Sequence, residues 1–258
     1  MTHDTRMKLR LWHLIIGGTA FLVALVPGWA PADEQRDALN KRFDEEIARF
    51  SDQIKKSPDS ADLYSRRGDA YFFRAKFVEA VADYEKAVSL DPKRDASFWQ
   101  KGIAYFYAKR FKDAAHQFEI YNSFDNVDRE NGIWRYLSQT KALGRDKARE
   151  GLLKYEKDDR EPFPDVYRLF SGELTGDAVL KRINDAEIPV RDREARLFYA
   201  ELYVGLNDYV EGRIESAEKH LEQAAKNNWG EKASYGPNYM WHVARLHRDL
   251  LADERAKK

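Results

Sequence analysis

Cysteine is absent from all 258 residues. No disulfide can brace the fold, no thiolate can act as nucleophile or metal ligand, and no cysteine is available to carry a lipid. An excess of charge of one sign is also missing, since 44 Lys and Arg stand against 44 Asp and Glu. A chain without a basic surplus releases few counterions from a phosphate backbone, which argues against nucleic acid as a partner. There is no nucleophile elbow, Walker loop or dinucleotide glycine pattern. The sequence therefore offers no catalytic residue and no cofactor, and it reads as a non-enzyme.

Metal ligation is equally unsupported. Beyond residue 32 the histidines are His116, His220, His242 and His247, and none pairs at the i, i+4 spacing that puts two ligands on one helical face. Paired acids such as Glu45-Glu46 and Asp158-Asp159 sit among basic residues, where a solvated helix face is the ordinary reading. The alternatives are a cell-wall or saccharide-active enzyme, if the fold brings two carboxylates to within about 5 to 10 Å across a cleft, and a purely structural subunit of an envelope complex.

What is present begins with a distinct amino terminus. Arg6, Lys8 and Arg10 precede the apolar run LWHLIIGGTAFLVALV at 11 to 26, followed by PGWAPADE. That order reads as a signal peptide cleaved after Ala32, hence an exported protein, periplasmic or secreted. The competing reading is an uncleaved inner-membrane anchor over residues 11–26, flanked by Trp12 and Trp29. Cleavage would leave 41 basic against 43 acidic residues.

From residue 33 onward the periodicity is helical, and no alternating strand pattern of useful length occurs. Residues 33–57 carry Leu39, Phe43, Ile47, Phe50 and Ile54 on one stripe ending before Pro58. Such a stripe must pack, either within the chain or as a homodimer arm.

An internal repeat appears at an offset of 34 residues. Gly68, Tyr71, Phe72, Phe73, Phe77, Ala80 and Tyr84 recur as Gly102, Tyr105, Phe106, Tyr107, Phe111, Ala114 and Phe118. On these residues the chain resembles the tetratricopeptide repeat (TPR) proteins. The unit from Ala61 to Arg94 fits that pattern at Tyr64, Gly68, Tyr71, Ala80, Tyr84, Ala87 and Pro92, and the unit from Asp95 to Asp128 fits except for Tyr121 and Asn126. Residues 129–160 read as a degenerate third unit through Trp134, Leu137, Ala148 and Leu152, with Tyr136 at the glycine position. A helix pair broken at Leu174-Thr175-Gly176 follows. A late unit carries Ala200, Tyr203, Ala217, Leu221 and Ala224, whose spacing from Tyr203 to Ala217 implies about five extra residues in the hairpin turn. A last helix from Asn238 to about Ala252 reads as a cap on the open end. The expectation is an all-α, TPR-type solenoid of helical hairpins over residues 61–255.

The order of the pieces resembles a narrower group, the NlpI-type periplasmic TPR proteins, over roughly residues 60 to 250. That resemblance implies export, homodimerisation and an adaptor role bringing cell-wall hydrolases to other proteins. The founding member is a lipoprotein, and the missing cysteine departs from that pattern.

The TPR resemblance also implies a concave groove lined by repeat positions 2, 5, 9, 12 and 13. Here these are Asp62, Ser65, Asp69, Phe72 and Phe73, then Ala96, Trp99, Ile103, Phe106 and Tyr107. An aromatic floor of this kind suits a protein or peptide partner. The carboxylate-clamp variety needs Lys and Asn where this chain has Ser65 and Asp69, so a chaperone-tail receptor is disfavoured. Whether the groove is open or filled by the chain itself, with residues 33–56 the obvious filler, is left open by the pattern. The tripeptide Arg67-Gly68-Asp69 needs no adhesion role, because Gly68 is the packing glycine of the repeat.

Overall fold

A computed structural model describes residues 32–157 and 159–257, so the expected signal segment lies outside the described residues except for Ala32. The chain divides into two compact units, Met1–Ala38 and Leu39–Lys258. The second holds the architecture that follows. Among the described residues all regular structure is helical.

Helix α1 (Ala32–Lys56) ends beside Pro58, with Lys55 and Lys56 at its negative pole. Its expected stripe is used inside the chain: Phe43, Phe50 and Ile54 are buried, and Phe43 packs at 5.3 Å from Phe73.

The first hairpin comprises α2 (Ala61–Phe73) and α3 (Phe77–Leu90). A Cβ on Gly68 would lie 2.6 Å from the Tyr84 ring, so only glycine lets the two helices approach this closely. Beside this contact, the Arg67 guanidinium holds Asp83 through two hydrogen bonds of 2.7 Å. The second hairpin repeats the device. After a 3₁₀ turn over Pro92–Ser97, α4 (Trp99–Tyr107) and α5 (Phe111–Phe124) close with Gly102 against Phe118, whose ring would lie 2.7 Å from a Cβ on the glycine. Its exit lacks the usual proline. Asp125 Oδ1 instead accepts from the backbone N–H groups of Val127 and Asp128, at 2.9 and 3.1 Å, and sets the turn.

The third unit departs from the expected pattern. Helix α6 (Arg129–Leu143) is full length, capped by Asp128, but its partner α7 (Arg145–Glu150) stops at Gly151. An irregular segment then runs back along α6. The residue that permits the approach is Gly132 rather than position 136, and the Tyr155 and Tyr167 hydroxyls occupy the space a Cβ would need. Helices α8 (Phe163–Ser171) and α9 (Gly176–Asp185) follow, the latter capped by Thr175.

The late unit corrects the expected insertion. Helices α10 (Val190–Val210) and α11 (Ile214–Ala225) are joined by a short turn at Glu211, Gly212 and Arg213. Gly205 faces Leu221, whose Cγ would lie 2.8 Å from a Cβ on the glycine, as Gly68 faces Tyr84 and Gly102 faces Phe118. The register therefore runs from Gly205 and not from Tyr203, and the additional residues extend the start of α10.

After a short α12 (Asn228–Lys232), α13 (Tyr235–Ala256) completes the chain. It does more than cap an open end. Tyr239 through His247 are buried without a break, the signature of a helix enclosed on all sides. One side meets α11, where Trp241 Nε1 donates to the Ala225 carbonyl at 2.8 Å. Another lies on the aromatic residues of α2 and α4.

Candidate functional site

The predicted groove floor exists, and α13 lies on it. Phe72, Phe73, Ile103, Phe106 and Tyr107 are all buried, Phe72 completely, while Ser65, Asp69 and Trp99 are half-buried. Tyr239 is the centre of the contact. Its ring stacks on Phe72 at 5.0 Å, meets Phe73 at 4.9 Å and takes Trp99 edge-on at 4.8 Å. Each buried ring of this size is worth roughly 1.5–3 kcal/mol in area alone. Of the two possibilities that the pattern leaves open, the structure has the self-occupied one for most of the floor: a helix of the same chain covers it, while Ser65, Asp69 and Trp99 keep partial exposure. The main filler is α13, and the segment at 33–56 contributes Phe43, which packs against Phe73 and His242 at 5.3 Å each.

Polar groups at this contact are closed into chains. Tyr84 donates to Asp69 Oδ1 at 2.7 Å and Tyr235 donates to Asp69 Oδ2 at 2.5 Å. Because the Tyr84 proton is committed to Asp69, Tyr239 is the donor in its 3.3 Å hydrogen bond to Tyr84. Burial pushes Asp69 up to about 6, although both tyrosine hydrogen bonds pull the other way. Deeper along α13, Arg245 donates to the Phe73 carbonyl at 2.6 Å and to His242 Nδ1 at 2.7 Å. That acceptor role requires a neutral imidazole, and burial followed by the Arg245 charge holds His242 well below its ordinary range. His247 lies 2.9 Å from the Tyr107 hydroxyl and is pushed down to about 3 by burial, with Lys141 adding to the effect. The histidines of α13 thus hold the fold together as neutral hydrogen-bonding groups.

One part of the concave face stays hollow. Beyond the start of α13, where Gly236, Pro237 and Met240 form an edge, a cavity of about 250 Å³ is lined by Trp99, Ile103, Phe118, Tyr121, Trp134 and Tyr199. Its polar wall is Asp128, Glu130, Asn131 and Arg160. Asp128 and Glu130 are placed by the first turn of α6, where Asp128 Oδ1 caps the Glu130 N–H at 3.0 Å. Arg160 comes from the irregular segment and reaches three acids: Glu130 at 2.5 Å, Asp159 at 3.3 Å and Asp128 at 3.5 Å. Asp158, the other half of that acid pair, lies outside the described residues.

Two buried polar groups of this wall lack a partner. The Asn131 side chain is 3% exposed and neither of its amide atoms makes a hydrogen bond of good geometry, although the Tyr155 hydroxyl is near. Trp134 Nε1 is likewise unpaired beside Tyr203. Unpaired buried polar atoms are uncommon in folded proteins. Burial raises Glu130 to about 7, with Asp128 and Asp159 adding to the rise and Arg160 opposing it. The Tyr203 hydroxyl donates to its other oxygen.

Trp99 and Ile103 are shared between the predicted groove and this cavity. Asp128, Glu130, Asn131, Arg160 and Tyr199 were not anticipated, because the third unit's short second helix lets Arg160 return to the inner face. For α13 a signal exists: Tyr235, Tyr239, His242 and Leu246 recur at spacings of four, three and four, an apolar stripe that demands a seat. Among the described residues no group of three or more His, Asp or Glu is placed to hold a metal ion.

Comparison with known protein families matches residues 61–94 to the tetratricopeptide repeat. No curated protein matches the sequence.

Proposed function

We propose that this chain is a non-enzymatic adaptor that holds a partner polypeptide at the inner face of its TPR hairpins. TPR units generally mediate protein–protein interaction, and one is present at residues 61–94. The observation that carries the reading is the hollow next to Trp99, a residue that is half-buried at an aromatic wall rather than enclosed in the core. Aromatic walls with a few convergent polar groups are the usual make-up of a binding pocket. Asp128 and Glu130 are both tied to Arg160, which favours a charge cluster over a free acid and base and counts against the saccharide-active alternative.

Export, with a cell-envelope role as the setting, is part of the same proposal. Its support is the basic and apolar composition of residues 1–32 together with the resemblance to NlpI-type proteins. A photo-crosslinking residue at position 99, compared with one at exposed Val78 of α3, tests the interaction. A discrete adduct from position 99 alone is the expected result, and equal labelling from both positions overturns it. The mass of the protein recovered from cells tests export: a chain beginning at Asp33 is expected, and one retaining residues 1–32 in the cytoplasm contradicts it.

A further inference from the structure

We propose that the cavity beside Trp99 and Trp134 receives the cationic head of a lysine or arginine side chain from the partner polypeptide. This rests on the protein-binding reading above and names the group that the site would recognise. The first argument is charge. Asp128, Glu130 and Asp159 share the single guanidinium of Arg160, and the nearby Arg129 lays its guanidinium over the Tyr155 ring at 5.3 Å. Three carboxyl groups thus meet one guanidinium, and burial leaves Glu130 protonated up to about pH 7 in place of a second partner. A second cation would take the place of that proton.

The second argument is geometry. Asn131 is buried at the cavity wall with both amide atoms unpaired, so the amide is free to present its carbonyl oxygen to an incoming N–H. The third is the nature of the walls. Trp99, Phe118, Trp134 and Tyr199 surround the space, and ring faces attract ammonium and guanidinium groups. An apolar stem fits the same walls, as lysine and arginine bury their methylenes while placing the charge at a polar end. The volume of about 250 Å³ is ample for such a side chain. A carboxylate ligand would meet Asp128 and Glu130 at close quarters.

The test uses the full-length protein and blocked pentapeptides with two glycines on either side of lysine, arginine, acetyl-lysine, citrulline or glutamate. Binding is followed by calorimetry and by the indole N–H signals of Trp99 and Trp134. The lysine and arginine peptides are expected to bind at least tenfold more tightly than acetyl-lysine and citrulline, which keep the shape and remove the charge. Glu130→Gln and Asp128→Asn, the latter retaining a capping side chain, should each weaken the basic peptides about tenfold with helical content unchanged. Asn131→Ala should weaken them as well. Equal binding of charged and neutral peptides, no binding of the basic ones, or unaltered affinity in the Asp128→Asn/Glu130→Gln double variant overturns the assignment. Preference for the glutamate peptide overturns it too, in favour of an anion read by Arg160. If no peptide binds while crosslinking from position 99 persists, the cationic assignment falls and the adaptor reading stands; loss of both removes both.

Discussion

Tyr239 lies stacked on Phe72, ring centroids 5.0 Å apart and planes 20° from parallel, and this contact between the last helix and the first repeat decides what the concave face is. A groove floor that would be a docking surface in an open solenoid is here part of the core. Tyr239→Ala removes a fully buried ring that also touches Phe73 and Trp99. The expected cost is about 3–5 kcal/mol, read as a lower midpoint in urea unfolding. Tyr239→Phe keeps the ring and loses only the donor to Tyr84, so about 1 kcal/mol is expected. Equal effects of the two variants would mean that the stacked geometry contributes little.

Glycine to alanine inside a solvated helix ordinarily stabilises by up to about 1 kcal/mol. At Gly205 the sign should reverse, because the added Cβ would sit 2.8 Å from Leu221 Cγ. A loss of about 1–3 kcal/mol is expected from this overpacking. Leu221→Ala in the Gly205→Ala background should recover part of that loss, and a double-mutant cycle by thermal unfolding measures the coupling. Strict additivity of the two substitutions would contradict the proposed register of the late hairpin.

The hairpins at 61–124 were legible because a repeat writes its packing as sizes: glycine facing a ring, alanine facing a large side chain. The same signal was present at Gly205, Ala217 and Leu221 and gives the late hairpin its normal length. Reading from the more conspicuous Tyr203 shifted the register. The occupant of the concave face was not legible in the same way, since residue size does not say which distant surface a buried stripe will choose. Tyr239 finds Phe72 through tertiary packing alone. The cavity was harder still, because Arg160 lies in an irregular segment with no periodicity, and its meeting with Glu130 depends on α7 stopping at Gly151.

Arg245 ties α13 to the end of α2 through the Phe73 carbonyl. Its side chain is buried, and desolvation pulls it down to about 10. Arg245→Met preserves much of the apolar stem but leaves the Phe73 carbonyl and His242 Nδ1 without their shared donor. A loss of about 1–3 kcal/mol is expected from the unsatisfied groups. Faster hydrogen exchange at the end of α2 and along α13, with α10 and α11 unchanged, is the accompanying signature. Uniform exchange throughout the molecule would contradict a local role for this contact.

The pH dependence of stability should contain two opposing terms, and Glu130 allows them to be separated. A carboxyl raised to about 7 in the folded state keeps its proton between roughly pH 4.5 and 7, where the unfolded chain has released it. The folded state then binds more protons, so this group makes stability rise as pH falls through that window. His247, depressed to about 3, acts in the opposite direction: below roughly pH 6.5 the unfolded chain gains a proton that the folded state refuses, and stability is lost as pH falls. Glu130→Gln removes the first term and leaves the second. The substitution should therefore be more favourable at pH 8 than at pH 5, by on the order of 1–3 kcal/mol from the size of the shift. Urea midpoints of the two proteins at both pH values measure the difference. An offset between them that does not vary with pH would show that the Glu130 carboxyl, despite three acids gathered around one guanidinium, titrates no differently in the folded protein than in the open chain.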